Sequence, residues 1–483
     1  MATNPKSYSN LIGGTWKTAS DVSLEDRNPA EHDEIIGLFP MATLDDTKSA
    51  IQAARSAFPA WSRTPAPARG AILDKASQIL TSRLDEIASA LTREEGKTLA
   101  EAKGEVTRAR DIFKYYAGEG WRYGGQVLPG SVSDELLYTR REALGVISII
   151  TPWNFPIAIP AWKIAPALIY GNTVVFKPAE DAPHTALLLV EALVEAGVPS
   201  GVINFLTGDG AAIGTEMTSN PGVNGISFTG SHNTGAKIYQ NAIRNMARVQ
   251  LEMGGKNALV ILKDANLDLA VKLAITGGFG LTGQACTATS RIIVEEEIAD
   301  AFVPALTAAA KSLKVGNGLE TGVQMGPLVN QDQLQTSQSY IALGQQEGAR
   351  LLLGGEVDGG KGYFAQATIF DHVEPSMRIA QEEIFGPVIG ILRAHSIDDA
   401  IEKANAISFG LCAGVVTNNL KAAFAFADQV EAGVVKINEP TTGLALNAPF
   451  GGFKHSSANT FKEQGQAALD FYTRTKTIYV NSG

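Results

Sequence analysis

Leu144-Gly-Val-Ile-Ser-Ile-Ile-Thr-Pro-Trp-Asn-Phe-Pro156 is followed by Ala161-Trp-Lys-Ile-Ala-Pro-Ala167 and then by Thr173-Val-Val-Phe176. Val146–Ile150 is a short apolar run of the kind that fills a strand buried on both faces. The middle piece has a helical pattern, and 173–176 is again a strand. Strand, helix, strand in that order predicts a parallel sheet with crossover helices. Working outward, 185–196 reads as an amphipathic helix ended by Gly197, and Val202-Ile-Asn-Phe-Leu206 and Gly225-Ile-Ser-Phe228 continue the strands. A second alternating series has strands at 259–262, 291–294, 388–392, 414–417 and 433–437. The expected fold is α/β, with two doubly wound Rossmann-type domains.

The flanks differ from this pattern. Residues 8–40 hold short strand-like pieces, and 43–121 are rich in Ala, Leu, Arg and Glu at helical spacing. Residues 123–142 break the helix at Tyr123-Gly-Gly and alternate like a strand, which suggests a β-arm for assembly. The final stretch, 470–480, is expected to pair with the arm of another subunit.

A chain of 483 residues with 45% hydrophobic and 19% charged residues is long enough for two or three domains. A net charge of −10 without a concentrated Lys/Arg run argues against nucleic acid and against an anionic membrane surface as partners. No signal peptide is visible, and the most apolar region, 143–176, is broken by prolines and polar residues, so no membrane span is expected. Two cysteines, Cys286 and Cys412, suit a reduced, cytoplasmic protein, and Cys412 reads as core. No metal cluster is expected.

Four stretches carry chemistry. Gly280-Leu-Thr-Gly-Gln-Ala-Cys286-Thr-Ala-Thr-Ser-Arg291 presents one thiol among small residues, a candidate nucleophile, with an inert core cysteine as the alternative. Leu251-Glu252-Met-Gly-Gly-Lys-Asn257 places a carboxylate in an apolar setting fit for a general base, or else a surface glutamate at a helix end. Asn154, between two prolines and two aromatics, offers an amide to an oxyanion, or is a turn residue. Ser227-Phe-Thr-Gly230-Ser231-His-Asn-Thr-Gly235 ends a strand and opens a helix, as phosphate-binding turns do and as ordinary turns also do.

Taken together, TPWNFP, KPAE, FTGSxxxG, LEMGGKN, GQxC, EEIFGPV and PFGGFK resemble the aldehyde dehydrogenase superfamily over essentially the whole chain. The resemblance implies that Cys286 attacks the aldehyde, Asn154 and the Cys286 N–H hold the oxyanion, and Glu252 activates water against a thioester. Lys163 matches a lysine near the nicotinamide ribose and a proton path. Trp153, Lys177, Glu180, Gly230, Ser231, Glu383 and Phe385 match cofactor contacts for NAD or NADP, and a carboxylate at Glu180 favours NAD. Implied boundaries are 1–122 and 143–253 for the NAD(P)-binding domain and 254–437 for the catalytic domain. Residues 123–142 and 466–483 are the implied arm and tail, and 438–465 a return segment lining the substrate tunnel. A homodimer or homotetramer is expected.

The resemblance also implies release of a free acid rather than transfer to coenzyme A, since coenzyme-A-acylating members generally lack a glutamate at the position of Glu252. Within the superfamily, 147–180, Val435-Lys-Ile-Asn-Glu-Pro-Thr-Thr442 and the Glu463-Gln-Gly tail region resemble α-ketoglutaric semialdehyde (2,5-dioxopentanoate) dehydrogenases. By the same resemblance Arg108 falls at a family pocket-lining position and is the candidate anchor for a substrate carboxylate, with a solvated helix-face arginine as the alternative. Phe155, Trp162, Thr287 and Phe450 are the expected remaining wall. Oxidation of succinate semialdehyde or of a broad range of aliphatic and aromatic aldehydes is an alternative, and a catalytically silent homologue a remote one.

Overall fold

A computed structural model of the chain describes residues 5–18, 23–358, 360–458 and 460–481. Residues 1–4 of the expected first domain and 482–483 of the expected tail lie outside the described residues. Two seven-stranded sheets organise it. In the first, Arg248–Met253, Gly225–Gly230, Val146–Ile150, Thr173–Lys177 and Ile203–Phe205 run parallel in that spatial order, and the hairpin Ser9–Ile12/Thr15–Thr18 closes one edge antiparallel. The second has the order Arg350–Leu353, Thr368–Asp371, Val388–Ala394, Thr289–Glu295, Asn257–Ile261, Cys412–Val416, Val434–Ile437, parallel except for its first strand.

Each sheet is buried on both faces, which is why its central strands are unbroken apolar runs. Ile147, Ile149, Val174, Phe176 and Phe205 sit in one core with the helices Ala66–Ser82, Leu99–Glu119, Ala158–Ile169 and Pro183–Ala196. Helix starts follow local chemistry. Thr43 with Asp46 and Thr98 with Glu101 form reciprocal capping boxes for Leu44–Arg63 and Leu99–Glu119. Gly197, at φ +103°, ends Pro183–Ala196 in the left-handed conformation that favours glycine.

The structure departs from the sequence expectations in three places. Leu251 and Glu252 lie on a full edge strand, Arg248–Met253, so Glu252 is in a sheet and not at a helix end. Arg350–Leu353 and Thr368–Asp371 extend the second sheet beyond the predicted strands. The tail does not reach for another subunit's arm: Thr473–Asn481 pairs antiparallel with Glu135–Ala143 of the same chain, from Thr473 opposite Ala143 to Asn481 opposite Glu135. A nine-residue ladder from a chain that has just passed Tyr472 beside Leu144 closes locally, with no need of a partner.

Candidate active site

Strand ends and turns from both sheets meet at one cavity of about 260 Å³, lined by Trp153, Asn154, Gly230, Ser231, Cys286, Glu383 and Phe385 among others. Cys286 sits in the turn before Thr289–Glu295. That turn is tightly made. Leu281 and Thr282 have φ of +54° and +56°, and a Cβ on Gly283 would lie 2.3 Å from the Gly386 carbonyl. Asn257 Nδ2 donates to the Cys286 and Ala288 carbonyls at 2.8 and 2.9 Å, fixing the backbone on both sides of the thiol. Burial pushes the Cys286 thiol up, and the carboxylates of Glu383 and Glu252 push the same way.

Asn154 donates through Nδ2 to the Gln284 carbonyl at 3.0 Å, which spends one of its two amide hydrogens and fixes the amide beside the thiol turn. Its own carbonyl accepts from Lys97 Nζ at 2.7 Å. Lys97 is fully buried, bonded to Glu105 at 2.5 Å and 3.7 Å from Glu95, and Glu105 in turn accepts the Ile157 and Ala158 N–H groups. This ion network, which the sequence reading did not single out, clamps the Asn154 loop; Phe155 packs under the Lys97 ammonium, 4.6 Å from ring centroid to Nζ. Thr287 is buried beside Cys286.

Glu252 is 2% exposed. Its Oε2 accepts the Gly452 N–H at 3.2 Å, and its Oε1 has no partner. Burial raises its pKa well above the usual carboxylate range, Glu463 adds to the rise, and Lys462 and Lys163 oppose it. A Cβ on Gly451 would lie 2.4 Å from Glu252 Oε1, so the glycine makes room for the carboxylate. Lys462 Nζ holds the Gly451 and Gly452 carbonyls at 2.6 and 2.8 Å.

Behind Glu252 lies a buried polar chain. Lys163 Nζ donates to Ser227 Oγ at 2.9 Å and forms an ion pair with Glu463. The second Glu463 oxygen accepts Trp162 Nε1 at 2.8 Å. Trp162 meets Phe450 edge-on at 6.2 Å between centroids and carries the Arg108 guanidinium over its face at 5.6 Å. Arg108, Trp162 and Phe450 therefore form one cluster, apart from the residues that line the Cys286 cavity. Glu463 and Gln464 were visible in sequence only as part of a shared tail stretch and Lys462 was not singled out, because nothing local marks a glutamate that pairs with a lysine 300 positions away.

A second cleft, of about 620 Å³, shares Pro152, Trp153, Thr229, Gly230 and Ser231 with the first and extends past Lys177 and Glu180. Glu180 Oε1 accepts from Lys177 Nζ at 2.9 Å and from the Gly210 N–H at 2.8 Å. Ser231 caps His232–Ile243, whose first turn opens on the cleft together with that of Gly210–Ser219. Thr151 Oγ1 and Thr229 Oγ1 are buried in its wall with no partner. Helix starts, an ammonium and orphaned hydroxyls make a donor set that fits a dinucleotide. At the cavity end, Phe385 stands edge-on to Trp153 at 5.4 Å with φ +59°, and Gln333 Nε2 holds the Ile384 and Phe385 carbonyls at 2.9 and 3.0 Å. Glu383 accepts the Gly255 N–H at 2.9 Å, and burial moves its pKa up to about 7. A Cβ on Gly254 would lie 1.9 Å from Glu383 Oε2, which accounts for the first glycine of the pair.

The sequence model of the aldehyde dehydrogenase family matches residues 16–478. The chain is 46% identical to the alpha-ketoglutaric semialdehyde dehydrogenase of Bacillus subtilis over 99% of both chains. It is also 46% identical to the 2,5-dioxopentanoate dehydrogenase of Saccharolobus solfataricus, over 98% of this chain and 99% of that one. Its structure superposes with a TM-score of 0.96 on the crystal structure of betaine aldehyde dehydrogenase from Staphylococcus aureus in complex with NAD+, at 34% identity, covering 99% of this chain and 95% of that one. A thiol turn, a buried carboxylate and a dinucleotide-sized cleft meet in a chain that matches along almost its whole length: it belongs to the aldehyde dehydrogenase family.

Proposed function

We propose that the chain oxidises 2,5-dioxopentanoate to 2-oxoglutarate with NAD in preference to NADP, through a thioester on Cys286. The observation that carries this reading is the convergence of Cys286, Asn154, Glu383 and Phe385 on one cavity that opens into the dinucleotide-sized cleft. Identity of 46% to dehydrogenases named for this substrate supports the choice of aldehyde.

In this mechanism the Cys286 sulfur adds to the aldehyde carbon as the thiol passes its proton to solvent water in the cavity. The second amide hydrogen of Asn154 and the Cys286 N–H receive the developing oxyanion. Lys177 and Glu180 would hold the adenosine ribose, Gly230 and Ser231 the pyrophosphate, and Glu383 with Phe385 and Trp153 the nicotinamide end. When bound, the oxidised nicotinamide supplies the two-electron acceptor. Glu252, whose burial raises its proton affinity, takes a proton from water as the water attacks the thioester, releasing the acid and restoring the thiol. Lys163 and Glu463 continue the proton path away from Glu252. The Glu180 carboxylate would repel a 2′-phosphate, which favours NAD. Arg108 anchors the carboxylate of the substrate, with Phe155, Trp162, Thr287 and Phe450 as the wall.

The arm exposes Val127, Val132, Leu136, Tyr479 and Val480, and Val434–Ile437 leaves a sheet edge open. These apolar groups and this edge favour a homodimer or homotetramer. No helix among the described residues is long and apolar enough to cross a membrane. A thiol nucleophile suits the reducing cytoplasm. The test is formation of reduced nicotinamide from 2,5-dioxopentanoate, succinate semialdehyde, benzaldehyde and propanal, each with NAD and NADP. Highest kcat/KM for 2,5-dioxopentanoate with NAD is expected; an aromatic-favouring or flat profile overturns the substrate assignment.

A further inference from the structure

Arg108 is a half-buried guanidinium whose hydrogen-bond partners are neutral; the Glu105 carboxylate, one turn earlier on its helix, acts on it only at a distance and is bonded to Lys97. One Nη donates to the Leu444 carbonyl, the other to Gln464 Oε1 at 2.8 Å, and the group lies over the Trp162 ring. Among the described residues no carboxylate comes within ion-pair distance of it. The nearest candidate in the return segment, Glu463, turns both oxygens the other way, to Lys163 and Trp162. A guanidinium held out of water without an ion-pair partner is costly unless an anion completes it.

Gln464 is the residue that makes this arrangement, and it is strained. Its φ and ψ of +63° and 169° fall in a region nearly restricted to glycine. It is 1% exposed, and its Nε2 is buried without a partner. The backbone on either side is tied down: Glu463 and Phe450 exchange backbone hydrogen bonds at 2.6 and 2.7 Å, and the Gly465 N–H donates to the Leu446 carbonyl. The strained peptide thus aims two consecutive side chains at different partners, the carboxylate into the lysine network and the amide onto Arg108.

We propose that Gln464 is a positioning and specificity residue: its neutral amide fixes the Arg108 guanidinium over Trp162 without giving it an ion-pair partner, so that the site selects aldehydes carrying a remote carboxylate. The inference rests on the reading of Arg108 as the carboxylate anchor and adds the reason the anchor stays open. An amide can orient a guanidinium through one acceptor without neutralising it; a carboxylate at the same position would close the site with an internal ion pair.

The test uses the full-length enzyme and compares kcat/KM for succinate semialdehyde with that for propanal. Gln464→Met keeps the side-chain length and the backbone strain but removes the acceptor; Gln464→Glu keeps the acceptor and adds the charge. Both should lower the succinate semialdehyde to propanal ratio at least about tenfold. The loss should appear in KM more than in kcat, a split that general loosening of the fold does not produce. Gln464→Glu should be the more severe. If Arg108→Ala collapses the ratio while both Gln464 variants keep it, the role of Gln464 is overturned and the anchor stands. If Arg108→Ala also keeps the ratio, or the wild type has no preference for the carboxylated aldehyde, both readings fall.

Discussion

Cys286 and Glu252 share a physical problem: each acts through a charged form that its surroundings disfavour. Burial, with the Glu383 and Glu252 carboxylates, pushes the thiol pKa up, and burial with Glu463 pushes that of Glu252 up. Each negative charge that leaves the neighbourhood makes the other easier to form, so the thiolate and the general-base carboxylate belong to different stages of the cycle. Removing either should therefore stop the cycle at a different point. Cys286→Ala should abolish turnover, at least about a 10³-fold loss, while NAD still quenches intrinsic fluorescence on binding. Glu252→Gln should retain a burst of reduced nicotinamide near one equivalent per site and lose steady-state turnover by at least about 10²-fold. Full steady-state rates in either variant would remove that residue from the mechanism.

The elements around the site are held by charges that no local pattern announces. Lys97 lies just past the left-handed Gly96 that ends Leu84–Glu95, and its ammonium joins Glu95, Glu105 and the Asn154 carbonyl. Exchanging it for an apolar residue of similar length strands the buried Glu105 carboxylate and removes the ammonium beside Glu95. Lys97→Met should cost about 3–5 kcal/mol of stability and should also lower turnover by loosening the Asn154 loop. Chemical denaturation checks the first effect, and Lys97→Met/Glu105→Gln should recover part of it. An unchanged denaturation midpoint would show that the network is not structural. The contrast with the strands marks what was legible in the sequence. Val146–Ile150, Thr173–Lys177 and Thr289–Glu295 could be found because a strand buried on both faces must be apolar throughout. The motif residues Trp153, Asn154, Cys286, Glu383 and Phe385 were placed by resemblance, and they do share one cavity. Lys97, Glu105, Gln333, Lys462 and Glu463 were missed because each is an ordinary polar residue on its own stretch, and its role exists only through a partner far along the chain. The tail was misjudged for a related reason: alternation identifies a strand but does not say which strand, or which chain, it joins.

For the molecule as a whole, buried acids set how stability depends on pH. Glu94 is fully buried at the start of Pro183–Ala196, accepting the His184 and Thr185 N–H groups and the Thr185 hydroxyl. Burial outweighs those bonds and moves its pKa from 4.5 up to about 7, and the adjacent buried Asp26 is raised as well. Glu95 rises to about 8 and Glu383 to about 7, again through burial. A carboxyl with a raised pKa binds its proton more tightly folded than unfolded. The stability it contributes is complete below about pH 4.5 and is lost as pH rises through the folded value. His184 runs the other way: burial lowers it from 6.5 to about 4, so its contribution is present above 6.5 and is lost as pH falls toward 4. Between pH 4.5 and 6.5 the two effects oppose each other. Above 6.5 the carboxyls lower stability as pH rises, each extra proton held by the folded state costing about 1.4 kcal/mol per pH unit crossed. They outnumber the buried Lys256, which opposes them above 7 because burial lowers it from 10.5 to about 7. Tm should therefore fall from pH 6.5 to 8. Glu94→Gln keeps an acceptor for the helix start but has no proton to lose, so the fall should shrink in that variant. A flat Tm in the wild type over this range, or an equal slope in the variant, would mean that these carboxyls are already charged in the folded protein and that water or a cation reaches them.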